Sequence, residues 1–257
     1  MKGGIMQSMA ITRLPGENFL DGITSAGLGP PDYSLALRQH AAYRDALERC
    51  GLEVILLEPD PVYPDAPFVE DTAVITEKTA IVTRPGDPRR RGEEVSIAQV
   101  LSGYRETMVI EPPGTVDGGD ILRADNHFYI GLSGRTNLEG ARQLASILSR
   151  EGYSSSTAHV RDSLHLKSGV NYIGDGLMIA WEKLKNLEFL GKYDIITVGE
   201  DEAYAANCLP VNGTVIVPAG FPRTASEIAS AGLEIIELEM SEFMKMDGGL
   251  TCLSLRF

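Results

Sequence analysis

Short apolar runs bounded by polar turns recur along this chain, and stretches with apolar residues at helical spacing separate them. Residues 10–13 read as a strand. Residues 15–31 form a loop rich in glycine and proline, of a length that usually signals function or disorder. Asp32 then supplies the N-cap of a helix over 33–50, with Leu37, Ala41, Leu47 and Cys50 near one face and Gly51 ending it. A strand at 53–57 and a proline-rich segment, 59–67, lead into Phe68-Val69-Glu70-Asp71-Thr72-Ala73-Val74-Ile75. A strand at 80–83, a helix at 93–101 and a strand at 107–110 follow.

The same order then recurs. Val116-Asp117-Gly118-Gly119-Asp120-Ile121-Leu122 is a polar turn entering a strand, with a hairpin partner at 127–131, a helix at 137–149 and a strand near 157–160. His165-Leu166-Lys167-Ser168-Gly169-Val170 opens a further pair with its partner at 177–180. Asn207-Cys208-Leu209-Pro210-Val211 opens another, with a partner at 214–217 and a helix at 222–231. Asp247-Gly248-Gly249-Leu250-Thr251-Cys252 closes the series on a short apolar strand that carries Cys252. The openings at Glu70, Asp117, His165, Asn207 and Asp247 lie about 40 to 48 residues apart. Each unit reads strand, hairpin strand, helix, strand, and a period in this range fits a closed propeller; the alternative is an ordinary α/β sheet with hairpins. In a propeller the equivalent ends of all units point at one axis, so the polar openings would converge there.

Composition narrows the partners. The chain has 257 residues, 43% of them hydrophobic, and a net charge of 23 − 36 = −13. That balance argues against nucleic acid and anionic membranes and is compatible with a small cationic substrate. Cys50, Cys208 and Cys252 are too scattered for a disulfide framework, and no histidine pair has metal-ligand spacing. The N-terminal Met1-Lys2-Gly3-Gly4-Ile5-Met6 lacks the apolar run of a signal peptide, and no stretch approaches a membrane span, so a cytoplasmic protein is expected, with Met1, Met6 or Met9 as its start.

The openings also carry chemistry. A cysteine attacks as its thiolate, and a histidine oriented by a carboxylate can activate it or serve a leaving group. His165 and Asp117 answer that need for Cys252, with Cys208 the other cysteine at an opening. The paired acids Glu70 and Asp71 suit a guanidinium, whose planar donors match carboxylates. Each residue taken alone has a plainer reading: a core cysteine, a core histidine, ordinary turns.

Taken together, Phe68-Val69-Glu70-Asp71, Arg90-Arg91-Gly92-Glu93, Gly114 to Asp120, Gly131 to Asn137, Leu164-His165-Leu166-Lys167-Ser168, Ala206-Asn207-Cys208, Pro218-Ala219-Gly220 and Asp247 to Ser254 resemble the dimethylarginine dimethylaminohydrolase family (dimethylargininases), guanidino-modifying enzymes of the pentein superfamily. The resemblance runs from about Arg13 to Phe257, and the motifs keep the family's order. It implies a five-bladed α/β propeller with pseudo-fivefold symmetry, residues 1–257 forming one catalytic domain, a monomer or a homodimer, and no metal or cofactor. It implies Cys252 as nucleophile, His165 as general acid and base, and Asp117, in preference to Asp120, as its carboxylate partner. Glu70 and Asp71 would hold the guanidinium. Arg90, in preference to Arg91, and Arg135 would bind the α-carboxylate, and Asp65 the α-ammonium. Ile23 would sit in a lid formed by residues 21–31. The implied reaction converts methylated arginines to citrulline and a methylamine through a covalent thiouronium on cysteine. Arginine deiminase, agmatine deiminase and amidinotransferase use the same scaffold, and a non-catalytic binding propeller is the reading from another class.

Overall fold

The first and last strands of the described residues lie side by side. In the computed structural model, which describes residues 6–161 and 163–257, β1 (Met9–Arg13) is followed by α1 (Tyr33–Arg49) and β2 (Glu53–Leu57). The segment Met1–Ile5, most of the stretch weighed as a signal peptide, lies outside the described residues. Next come β3 (Ala73–Ile75), β4 (Thr79–Val82), α2 (Glu93–Leu101) and β5 (Glu106–Val109). Then β6 (Ile121–Ala124), β7 (His127–Leu132), α3 (Leu138–Arg150) and β8 (Ser154–His159) repeat the order. The fourth unit holds β9 (Val170–Gly174), β10 (Leu177–Trp181) and β11 (Asp194–Val198). The fifth holds β12 (Leu209–Val211), β13 (Thr214–Pro218), α4 (Pro222–Ser230) and β14 (Glu234–Leu238). The chain ends in α5 (Ser241–Met244) and β15 (Leu255–Arg256).

Among the described residues these strands form five three-stranded sheets. Each has an antiparallel pair and a parallel pair about its middle strand. The last strand completes the first sheet, with Ala10 opposite Arg256 and Ile11 opposite Leu255. The architecture is the five-bladed α/β propeller. One unit departs from the expected order: between β10 and β11 the chain makes two short 3₁₀ turns, Glu182–Leu184 and Glu188–Lys192, where the others have a helix. Phe189 of the second turn stacks on Tyr129 with ring centroids 4.0 Å apart, so an aromatic contact covers the neighbouring blade there.

Helices seal the gaps between blades. In α3, Ala141, Leu144, Ile147 and Leu148 recur at the 3–4 residue spacing of one helical face. They pack against Val74 and Ile81 of one blade and Ile121, Phe128 and Ile130 of the next. Helix α1 begins as expected, with the Asp32 carboxylate accepting from Leu35 N at 2.8 Å. Its buried face differs from the expected one: Ala36, Gln39, His40, Tyr43, Ala46 and Leu47 turn inward, while Leu37 and Ala41 are only half-buried. Docking against α5 decides the rotation, because Gln39 bonds both Ser241 Oγ and Glu242 N. His40 is thereby enclosed beside Phe243, and burial, aided by Arg44, pushes its pKa down to about 3.

A short 3₁₀ helix precedes the first strand of each antiparallel pair: Val69–Thr72, Gly118–Asp120, Leu166–Ser168, Glu200–Ala206 and Thr251–Leu253. Cys252 therefore sits in such a turn and not in a strand, as the apolar pattern of the last residues suggested; β15 contains only Leu255 and Arg256. The turns touch around a ring. Gly119 N donates to Asp71 at 2.8 Å, Leu166 N to Asp120 at 3.0 Å and Thr251 N to Asn207 at 3.0 Å, each bond joining consecutive units. Gly118 is needed for this approach, since a Cβ there would collide with the Glu70 carbonyl. Gly118→Ala is expected to lower stability by about 1–3 kcal/mol through overpacking. Urea denaturation checks this against Gly103→Ala, an exposed position with room for a Cβ, which should be nearly neutral.

Candidate active site

Cys252 is half-buried at the centre of the last turn, and its Sγ accepts from Gly249 N at 3.4 Å. The glycines before it answer to protein neighbours and not to a bound molecule. A Cβ on Gly248 would run into the Phe68 ring, and one on Gly249 would lie 2.5 Å from the Asn207 side chain. Asp247 takes the left-handed backbone in their place, with φ 58°. Burial pushes the Cys252 thiol up to about 12, and Glu70 and Asp71 push the same way. Cys208 is fully enclosed in the core between the fourth and fifth blades, which removes it as an alternative nucleophile.

His165 enters from the turn of the fourth blade. Its Nε2 lies 3.0 Å from Asp117 Oδ2, and Gly119 leaves space for the ring, since a Cβ there would be 2.6 Å from Nδ1. Of the two acids flanking Gly118-Gly119, Asp117 is the one bonded to the imidazole; Asp120 accepts from Leu166 N and from Ser133 Oγ. Burial alone would depress the imidazole, but Asp71, the bond to Asp117 and the Asp120 charge outweigh it and raise the pKa to about 9. The resting site thus pairs a neutral thiol with an imidazolium at neutral pH.

Asp71 accepts from Arg90 Nη1 at 2.5 Å and from Gly119 N at 2.8 Å. Burial opposes its ionisation, yet His165 and Arg90 hold the carboxyl well below the usual carboxylate range. Asp71, Asp117 and His165 offer three donor atoms within 4.8 Å of one another. Arg90 and the Gly119 amide already occupy Asp71, and the imidazole occupies Asp117, so both acids are committed to partners within the protein.

Two expected substrate ligands are placed differently. Glu70 does not line the cavity: Lys167 Nζ lies 2.6 Å from its Oε1 and Thr251 Oγ1 2.7 Å from its Oε2. A lysine from the fourth blade reaches it first. Arg90 lines the cavity, but Nε donates to both Glu93 oxygens, and Nη2 to Glu93 and the Phe68 carbonyl. One Nη1 hydrogen is left without an acceptor among the described residues. Arg135 is the more available fork, 3.7 Å from Asp117 and 3.8 Å from Asp87, beyond hydrogen-bond reach. Arg91 bonds the Pro85 and Gly86 carbonyls instead.

The loop after β1 lies shut over these groups. Ile23 N donates to both Asp65 oxygens at 3.1 and 3.2 Å, Ser25 N and Oγ to Asp247, and Thr24 Oγ1 to the Lys245 carbonyl at 2.7 Å. Burial raises the Asp65 pKa, against the pull of Arg90 and the Ile23 amide. The loop leaves a cavity of about 30 Å³ among these groups, far below the roughly 300 Å³ or more of a ligand pocket.

The family model for N,N dimethylarginine dimethylhydrolase, eukaryotic, matches residues 32–253. The dimethylarginine dimethylaminohydrolase of Pseudomonas aeruginosa is 47% identical over 96% of this chain and 98% of its own. This chain belongs to the dimethylarginine dimethylaminohydrolase family. The Streptomyces coelicolor member is 34% identical over 96% of both chains. A Cys-to-Ser mutant of the P. aeruginosa enzyme, solved in complex with citrulline, superposes with a TM-score of 0.97 at 44% identity, covering 98% of this chain and 100% of that one. The N-terminal domain of ArgZ, a cyanobacterial arginine dihydrolase, has a TM-score of 0.88 at 19% identity and shares the fold.

Within this dimethylargininase site, sequence reasoning left Lys167, Thr251 and Asn207 without roles. Lys167 stood two residues after His165, and its charge in a polar opening was the available signal; its partner, 97 positions away, was not. A raised His165 pKa also has a consequence for folding. The folded group holds its proton up to about pH 9, whereas the unfolded chain releases it near 6.5. Its stabilisation is complete below that lower value and lost as pH rises towards 9, at roughly 1.4 kcal/mol per pH unit. Chemical denaturation between pH 6.5 and 8.5 is expected to follow that slope, and His165→Asn to flatten it.

Proposed function

We propose that this protein hydrolyses N-ω-methylated arginines to citrulline and a methylamine. The observation that carries this reading is the mix of groups lining one cavity. Cys252, His165 and Asp71 form one set, and Asp65, Arg135 and Ile23 a second. A guanidinium suits the first, and an amino acid's ammonium and carboxylate suit the second. Membership in the dimethylargininase family and likeness to a citrulline-bound relative support it.

The resting thiol cannot give its proton to His165, which already carries one. A guanidinium set against the sulfur supplies the missing positive charge and brings the thiol pKa down, and the proton leaves to solvent. The thiolate of Cys252 then adds to the guanidinium carbon. His165 protonates the departing dimethylamine or methylamine nitrogen as the carbon–nitrogen bond breaks, leaving an S-alkylthiouronium. Neutral His165, held by Asp117, next takes a proton from water as its oxygen attacks the same carbon. The carbon–sulfur bond then breaks, and the remaining hydroxyl proton passes to the departing Cys252 sulfur, giving citrulline and the free thiol, so one water is consumed and one amine released. Asp71 fixes the guanidinium for in-line attack, and closure of residues 21–31 excludes competing water. The five blades act as one catalytic domain.

Incubation with asymmetric dimethylarginine, monomethylarginine and arginine under reducing conditions tests the proposal, with citrulline as readout. Citrulline from the methylated substrates is expected; none from any substrate would overturn it, and citrulline from arginine alone would reassign the protein as a deiminase. Cys252→Ser should lose more than 95% of citrulline formation and keep its circular dichroism spectrum, since a serine hydroxyl stays protonated here. Arg135→Ala should raise KM by about tenfold or more, the loss of one charge-assisted contact of 1.5–3 kcal/mol, as read from initial rates.

A further inference from the structure

Below the Cys252 turn lies a polar cluster for which the catalytic scheme has no use. Lys167 Nζ is 2.6 Å from Glu70 Oε1, and Thr251 Oγ1 is 2.7 Å from Glu70 Oε2. Asn207 accepts from Thr251 N at 3.0 Å, and its Nδ2 donates to the Lys167 carbonyl at 3.1 Å and to Thr251 Oγ1 at 3.2 Å. Asn171 Nδ2 donates to that same Lys167 carbonyl at 2.8 Å. Lys167 is thus held by its backbone as well as its ammonium, and Thr251, one residue before Cys252, is held by three bonds at two atoms, N and Oγ1. The side chains of Lys167 and Glu70 are 13% and 5% exposed, so this is an enclosed ion pair and not a solvated surface contact.

We propose that Lys167 is a positioning residue for the nucleophile: its pair with Glu70 anchors Thr251, and with it the turn bearing Cys252, and cancels a carboxylate that would otherwise oppose formation of the thiolate. The inference rests on Cys252 being the reactive residue.

The other groups facing the sulfur do not substitute for Lys167. Glu70 and Asp71 from the second blade oppose ionisation of the thiol, and Lys167 favours it. Asp71 has Arg90 as its own partner, so Lys167 is the matching cation for Glu70. Arg256 lies 3.9 Å from Glu70, beyond hydrogen-bond reach. The phenols of Tyr43 and Tyr204 are held neutral by burial. His165 is paired with Asp117 and Asp247 with Ser25. Removing Lys167 therefore leaves Glu70 with Thr251 as its short-range ligand and only the more distant Arg256, 3.9 Å away, as a cation beside it.

Alkylation of Cys252 by iodoacetamide in substrate-free enzyme, measured from pH 8 to 10 and confirmed by peptide mass, tests this without any turnover. A one-unit rise in thiol pKa slows alkylation tenfold at a fixed pH below it. Lys167→Met is expected to slow alkylation about tenfold and to lower kcat far more than it changes KM. Lys167→Arg should keep the rate within about threefold of wild type. Glu70→Gln, which needs no folded Lys167→Met protein, should speed alkylation several-fold. The double variant Lys167→Met/Glu70→Gln should return it to near the wild-type rate. Unchanged alkylation in both single variants would overturn the proposal, as would a double variant no faster than Lys167→Met. A Lys167→Met defect confined to KM would make Lys167 a substrate ligand instead. Absence of citrulline from wild-type enzyme would sink the proposed reaction and leave this readout standing.

Discussion

The site depends on keeping Asp71 ionised inside the protein. An isolated buried carboxylate would take up a proton rather than stay charged. Here Arg90 from its own blade, the Gly119 amide from the next and the His165 charge from the one after hold it as an anion. That one carboxylate couples three blades: it fixes the turn that carries Gly119, it raises the basicity of His165, and it sets the negative field at the cavity end where a guanidinium would bind. Arg90 is accordingly spent largely on the protein. Its bonds to Asp71, Glu93 and the Asp65 and Phe68 carbonyls leave it little capacity for a ligand.

The same field sets a conflict. Acids that grip a cation also disfavour a thiolate, and the Cys252 thiol is pushed up to about 12 by burial and by those acids. The thiol is therefore kept protonated beneath a loop that Asp65 and Asp247 tie down. In the proposed reaction a bound guanidinium would relieve the acids and favour the thiolate in one step. Lys167 bounds the acid field by pairing with Glu70, the carboxylate that Thr251 contacts beside Cys252.

Much of this was legible along the chain. Openings spaced about 40 to 48 residues apart fold as five sheets, because each antiparallel hairpin plus one parallel strand is a unit that must stack on its neighbours to bury both faces. Cap and stop signals were local, so α1 begins at Tyr33 behind the Asp32 carboxylate and α2 spans Glu93–Leu101 as its pattern predicts. The fourth blade lacks its helix, and α1 turns a different face inward. In both places contacts with distant elements decide: Phe189 on Tyr129, and Gln39 on Ser241 Oγ and Glu242 N.

The sequence by itself determined the repeat, the residue types at its openings and the presence of a cysteine, a histidine and several acids that a propeller would bring to one axis. Those are properties of spacing and local propensity. Only the tertiary structure decided which acid holds His165, that Glu70 faces Lys167 and not the cavity, that Gly248 and Gly249 make room for Phe68 and Asn207, and that Cys252 stands on a 3₁₀ turn. Each is a choice between chemically similar partners far apart along the chain. Burial, cavity shape and competing hydrogen bonds make that choice, and none of them exists until the ring closes.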